Sequence, residues 1–174
     1  MQNFNEIQAL MKSEIDLMNK ILTDRLDSNV ELINKMSQYI INSGGKRIRP
    51  LILLLCAKAT DYRGDYHYSM AVVIELIHTA TLLHDDVVDQ STTRRGQESA
   101  NELWGNAPSV LVGDFLYSRA FEIMVEPNSM EIMKILSKAT NQISEGEVLQ
   151  LLNIKNSKVT RSEYYRVIER KTAC

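Results

Sequence analysis

His78-Thr79-Ala80-Thr81-Leu82-Leu83-His84-Asp85-Asp86-Val87-Val88-Asp89 begins as an apolar helix and ends in three carboxylates. The residues leading into it, Met70 to Leu83, are apolar nearly all round, broken mainly by Glu75, His78 and two threonines. A helix that is hydrophobic on every side is a buried helix. Aspartate then stands at 85, 86 and 89 within the same helical period. Asp costs up to about 0.7 kcal/mol relative to Ala in a helix interior. The like-charged Asp85 and Asp89 at i,i+4 add about 0.2–0.5 kcal/mol, and burial raises the cost further. A stretch that breaks its local rules in this way marks a functional position.

Helix geometry says which chemistry the position suits. Four residues turn through about 400°, so Asp85 and Asp89 project from one face, about 6 Å apart along the axis. Asp86 is turned about 100° away, and His78, about two turns earlier, lies on the side of the pair. Two carboxylates with no cysteine among them suit a hard cation such as Mg²⁺. The bland alternative is a solvated acidic helix end.

Upstream, Gly44-Gly45-Lys46-Arg47-Ile48-Arg49-Pro50 places three cations in seven residues just before a helix start. Free backbone N–H groups, the positive dipole end and Lys or Arg side chains together make an anion site, preferably for phosphate. Downstream, Arg94-Arg95-Gly96 follows Asp89 by five residues. Carboxylates that hold a metal, with arginines a short loop away, form a diphosphate clamp. Taken singly these features are weaker. The basic loop alone reads equally as surface, His78 alone as a core histidine, and Lys171-Thr172 alone carries no signal.

The rest of the chain reads as helix. Ile7, Leu10, Met11, Ile15, Met18, Ile21 and Leu22 recur at helical steps and predict an amphipathic first helix. A second runs from about Ser28 to Asn42 and stops at Gly44-Gly45. Pro50 is expected at the first position of a third helix, which reaches Ala59. Asp61 to Asp65 is a turn, and the acidic helix follows over about 66–90. Residues 91–106 are polar and Gly-containing, a loop with a short helix. Further helices are expected from Ala107 to near Glu126, from Ser129 to about Ile154, and from about Ser162 onward. No segment alternates with period two. The fold class is therefore all-α, and no linker divides residues 1–174, so one helical domain is expected.

The bulk numbers narrow the class. The 174 residues suffice for one domain with a core. A net charge of −2 argues against a nucleic-acid binder that works through overall charge. Cys56 and Cys174 form neither a disulfide framework nor a zinc pattern, which makes a reducing cytoplasm the default. The longest apolar run, Leu51 to Ala57, is far short of the ~20 residues that span a bilayer. Residues 1–14 lack the form of a signal peptide. Glu163 to Cys174 is helical in character with nothing to end it, as expected of the amino-terminal part of a longer protein.

DDVVD followed by RRG, with GGKRIRP upstream, resembles the trans-type polyprenyl diphosphate synthases. IHTATLLHDDVVD (77–89), SVLVGDFLYSRAF (109–121), SEGEVLQL (144–151) and the Arg-Lys-Thr-Ala ending at 170–173 match as well. The likeness covers nearly the whole chain and is strongest to the bacterial octaprenyl enzymes.

The resemblance implies an isoprenoid-synthase-type helical bundle, here truncated, and a Mg²⁺-dependent head-to-tail condensation of isopentenyl diphosphate onto an allylic diphosphate. Asp85 and Asp89 match the metal-binding carboxylates, and Arg94 matches the arginine on the allylic diphosphate. Lys46, Arg49, His78 and Arg95 match the isopentenyl diphosphate site. Lys171 and Thr172 match positions on the allylic side, with Lys171 taking part in catalysis, and Gln150 matches a position near the metal cluster. Ala80, Thr81 and, further down, Ile77 match the wall against which product length is set. Both positions four and five before the first Asp are small, which implies an open tunnel and a long product. The product is implied to be an octaprenyl chain for a quinone, the enzyme a cytoplasmic homodimer, and nucleic acid no partner.

The family also carries a second Asp-rich motif well downstream, and these 174 residues stop before it. The chain alone is therefore expected to be inactive. Two rival readings remain. A related class I terpene synthase would have no use for the GGKRIRP and RRG pair. A non-catalytic subunit of a heteromeric synthase would have no use for an intact DDVVD.

Overall fold

The computed structural model describes residues 3–154 and 156–173. Cys174, one of the two cysteines, lies outside them. The chain divides into two compact units, Met1–Pro127 and Asn128–Cys174. Helix dominates both, as the periodicity predicts.

The first unit carries α1 (Phe4–Leu10), α2 (Lys12–Arg25), α3 (Glu31–Asn42), α4 (Ile48–Ala59), α5 (His67–Val88), α6 (Ala100–Trp104) and α7 (Asn106–Met124). The single first helix expected over 7–22 is interrupted at Met11, whose φ of −102° and ψ of 12° leave helical geometry. Met11 is fully buried there, so the bend lets one apolar side chain serve both halves. Ser43 ends α3, and Gly44 follows with φ +78°, the left-handed conformation that needs no Cβ. The next helix differs from expectation by two residues. It begins at Ile48, and Pro50 is its third residue rather than its first. The missing N–H of Pro50 still falls among the first four donors, which have no partner within a helix.

The acidic helix α5 packs against α2, α4, α6 and α7. Its all-round hydrophobicity is thereby explained, since Ala71, Val72, Val73 and Ala80 have no accessible surface at all. One stripe is open along the length of the helix, and Leu82, His84 and Val87 join it as half-buried positions near the acidic end. Ile74, His78, Thr81 and Asp85 are half-buried and Asp89 is exposed. Their four- and three-residue spacing is one face of a helix.

Residues 91–98 are not the plain loop expected. Thr93–Arg94 (β1) and Gln97–Glu98 (β2) pair antiparallel, with Arg94 opposite Gln97. The connecting Arg95 and Gly96 both have positive φ, 54° and 80°. That is the mirror-image turn that matches strand twist in a two-residue hairpin. Strands of two residues are too short to show alternation, so periodicity cannot reveal them. The Tyr39 hydroxyl on α3 donates to the carbonyl of Glu98 at 2.8 Å, and the Ser99 hydroxyl donates to that of Ser91 at 2.6 Å, closing the base of the hairpin.

The second unit pairs α8 (Met130–Asn153) with α9 (Arg161–Lys171). Thr160 and Glu163 form a capping box that starts α9. A Cβ at Gly146 would stand 2.7 Å from the backbone nitrogen of Lys171, so only glycine permits this approach. At that level Arg170 pairs with Glu145, and Lys171 Nζ lies 2.6 Å from Glu147 Oε2.

Candidate functional site

The acidic end of α5 is also its negative dipole end, where carboxylates are least welcome and a cation is most welcome. Asp89 is the last helical turn's cap, and its N–H donates to the carbonyl of Asp85 at 2.7 Å. The turn is therefore intact, and both residues belong to the open stripe.

Asp86 behaves differently, as its 100° offset predicts. It is buried at 2% accessibility and binds Arg94. Arg94 Nε donates to Asp86 Oδ1 and Oδ2 at 2.9 and 2.7 Å, and Nη2 donates to Oδ1 at 2.5 Å. These hydrogen bonds, with the charges of Asp86, Asp85 and Asp89, raise the Arg94 pKa above the ordinary guanidinium value, against a smaller opposing effect of burial. Arg94 thus faces all three aspartates, and Asp86 holds it there.

Around His78 the neighbouring charges are positive. Arg49 Nη1 lies 3.4 Å from His78 Nε2. The Arg95 guanidinium lies 2.7–2.9 Å from where a Cβ on Gly45 would stand, so it rests on bare backbone. Burial, then Arg49, Arg95, Arg94 and Arg47, lower the His78 pKa to about 4. Arginine can only donate, so the neutral imidazole turns an acceptor nitrogen toward Arg49. Burial and the nearby Arg47 lower the Arg95 pKa.

The structure thus brings Arg49 against His78, within electrostatic reach of Arg95 and Arg94, while Arg94 itself is bonded to Asp86. Lys46 is exposed and, with Gly45 and Arg47, lines a cleft of about 640 Å³ against Lys12 and Asp16 of α2. Gln150, Lys171 and Thr172 lie in the second unit. Gln150 is half-buried on α8, Lys171 pairs with Glu147, and the Thr172 N–H caps α9 at the carbonyl of Ile168, 2.9 Å away. Of the residues linked to product length, Thr81 is on the open stripe, Ile77 is nearly buried and Ala80 is wholly buried.

Three pairings escape a reading of the sequence. Arg47 is paired with Glu75 in the interior. Asp86 anchors Arg94. His84, next to the aspartates, points its Nε2 at the Val110 carbonyl (3.2 Å) and Asp114 Oδ1 (3.3 Å) on α7. A Cβ on Gly113 would collide with that imidazole. The signal for the first was present: Glu75 is the one acid within the apolar stretch of 70–83, and a buried acid requires a partner.

Among the described residues, no three His, Cys, Asp or Glu side chains converge to hold a metal ion. The donor set still fits Mg²⁺. That ion is commonly held by one or two carboxylates, with waters and substrate phosphates completing its shell. Asp85 and Asp89 supply two on one face, while Asp86 is committed to Arg94.

The lowered His78 pKa gives a pH signature. Between about pH 6.5 and 4 the unfolded chain binds a proton at His78 that the folded chain refuses. Its contribution to stability is therefore complete above the upper limit and is lost as pH falls toward the lower. Melting temperature should drop more steeply across that window for the wild type than for His78→Gln. Parallel curves would show that His78 is not held neutral.

A family model for polyprenyl synthetase matches residues 30–174. Octaprenyl diphosphate synthase of Escherichia coli (strain K12) is 49% identical over 171 residues, covering 98% of this chain and 53% of that protein. The crystal structure of a decaprenyl diphosphate synthase from Rhodobacter capsulatus is 42% identical with a TM-score of 0.94, over 98% of this chain and 53% of the other. That of a polyprenyl synthase from Caulobacter crescentus CB15, complexed with calcium and isoprenyl diphosphate, is 44% identical with a TM-score of 0.95, over 98% and 52%. The chain spans about half the length of the curated relatives it matches. Among the described residues no helix is long and apolar enough to cross a membrane. The all-helical architecture is that of the isoprenoid synthases, and the chain belongs to the polyprenyl synthetase family.

Proposed function

We propose that this chain supplies the paired diphosphate sites of a long-chain, octaprenyl-forming diphosphate synthase. The observation that carries the reading is the closeness of acidic and basic groups along α5: Arg94 grips Asp86 beside Asp85 and Asp89, and Arg49 meets His78 about two turns earlier. Two diphosphates can then be held side by side, one over the acidic end of α5 and one over the basic cluster.

Asp85 and Asp89 would hold Mg²⁺, which when bound neutralises charge on the allylic diphosphate and favours its departure. Arg94, fixed by Asp86, takes allylic diphosphate oxygens. Arg49, Arg95 and neutral His78 orient isopentenyl diphosphate so that its double bond faces the allylic carbon. The allylic C–O bond breaks, the double bond forms the new C–C bond, and a proton leaves to the released diphosphate. Preorganised cations facing the developing charge supply the rate. Lys171, Thr172 and Gln150 are assigned to the allylic side, and Lys46 to the isopentenyl side. Both units are read as parts of one catalytic domain, acting as a homodimer in the cytoplasm, with the product serving as a quinone side chain. The 174 residues by themselves are proposed to lack turnover, since the matched relatives are about twice as long.

Turnover by the complete protein tests this, read as Mg²⁺-dependent incorporation of labelled isopentenyl diphosphate. The two sites should also separate. Arg49→Ala should raise KM for isopentenyl diphosphate about ten- to a hundredfold, the range for a charge-assisted contact. Its allylic KM should move little, and Arg94→Ala should do the reverse. Equal shifts in both substrates would reject the assignment.

A further inference from the structure

The three cations of Gly44-Gly45-Lys46-Arg47-Ile48-Arg49 go to three different places. Lys46 is exposed, Arg49 meets His78, and Arg47 turns inward. The Arg47 side chain is 11% accessible and pairs with Glu75, which is 4% accessible. Its second guanidinium nitrogen, Nη2, donates to the carbonyl of Ile41 at 3.2 Å. One side chain therefore ties together the last turn of α3, the start of α4 and the middle of α5.

The backbone carries the mark of this tether. Arg47 has φ 48° and ψ 36°, a left-handed conformation that a non-glycine residue keeps only where its surroundings impose it. Glu75 is a buried carboxylate among apolar residues such as Val72 and Leu76, and a buried carboxylate persists only when paired. On either side of the tether lie residues that touch the basic cluster. Gly45, two residues before Arg47, is the floor under the Arg95 guanidinium. Arg49, two residues after it, meets His78, which is one turn beyond Glu75 on α5. The charges of Arg47 and Glu75 both reach Arg95.

We propose that the buried Arg47–Glu75 pair is a positioning device: it withholds Arg47 from substrate and uses it to set the loop from which Gly45 seats Arg95 and Arg49 meets His78. The device rests on the isopentenyl diphosphate reading for its consequence, but its effect on the loop does not. Loss of Glu75 frees both the loop and the Arg47 guanidinium, and the isopentenyl site loses its geometry while the Asp-rich end of α5 keeps its own.

The test uses the complete protein with Glu75→Gln, Arg47→Lys and the double variant Arg47→Gln/Glu75→Gln. Steady-state kinetics and amide hydrogen exchange are measured on each. Glu75→Gln should raise KM for isopentenyl diphosphate about tenfold or more, as for loss of a charged partner. Allylic KM and saturated kcat should stay within about twofold. Exchange should quicken over residues 44–49 with α5 and α7 still protected. Arg47→Lys should recover part of the affinity, and the double variant should be no worse than Glu75→Gln. An isopentenyl KM that is unchanged or lower overturns the proposal, the latter because it would make Arg47 a ligand held in reserve. Exchange that quickens throughout α5 and α7 also overturns it, because the pair would then hold the core. A wild type that does not turn over isopentenyl diphosphate refutes the functional reading instead. In that case unchanged exchange at 44–49 rejects the tether and faster exchange there supports it.

Discussion

Replacing Asp85 or Asp89 by Asn in the complete protein is expected to lower kcat about a thousandfold or more, the scale of losing the principal charge stabilisation in a transition state. Asn keeps the shape and one oxygen but removes the negative charge that a hard cation requires. Both residues belong to the open stripe of α5 and stand at its negative end. Raising Mg²⁺ should restore activity only in part. Asp86→Asn should act by another route. Its carboxylate is buried and grips Arg94, so its loss should chiefly raise allylic KM and spare kcat. Steady-state kinetics across a Mg²⁺ titration separate the two. If Asp86→Asn reduced kcat as far as Asp85→Asn, the division of labour between the open stripe and the buried anchor would be wrong.

Product length should change as sharply. Thr81→Tyr is expected to cut the product to a few isoprene units with the melting temperature nearly unchanged. Thr81 is half-buried on the open stripe, one turn or about 6 Å before Asp85. A ring there stands in the path of a chain growing back along α5 from the diphosphates. Ala80→Phe, equivalent by its place in the sequence, is not equivalent in the fold. Ala80 has no accessible surface. A ring at that position overpacks the core, which costs about 1–3 kcal/mol and lowers the melting temperature by about 5 °C. Chromatography of the dephosphorylated products, with a thermal melt of each variant, distinguishes the outcomes. Unchanged length with Thr81→Tyr would place the end of the tunnel elsewhere.

The helices and the acidic end of α5 are legible in the residues because they rest on short-range rules. Apolar spacing over 70–83, the glycine after Ser43 and the aspartates at i and i+4 each act within a few residues of themselves. What escapes is what depends on partners far along the chain. Nothing near Glu75 announces Arg47, which is twenty-eight positions away. Nothing near Ala80 distinguishes it from Thr81, because exposure is decided by the elements that pack on α5. Helix α4 begins before Pro50 for a similar reason. Arg47 is pinned in a left-handed conformation, and helical geometry resumes directly after it. The basic loop is recognisable as a cluster of charge, but the direction of each charge is a property of the tertiary fold.

The turn at Arg95-Gly96 makes the spacing of two neighbouring charges a matter of chain length. In a two-residue hairpin every position is counted from the bend. One inserted residue shifts the pairing and sends each following side chain to the opposite face. Arg94 would then leave the carboxylate it grips, and Arg95 its glycine floor, in a single step. Residues 156–159, before the cap of α9, belong to no strand pair, so no register is counted from them. Tolerance to insertion should therefore be close to nil over residues 93–98 and ample in the later connection. A scan of single-glycine insertions would display that contrast as a map of where chain length itself is part of the chemistry.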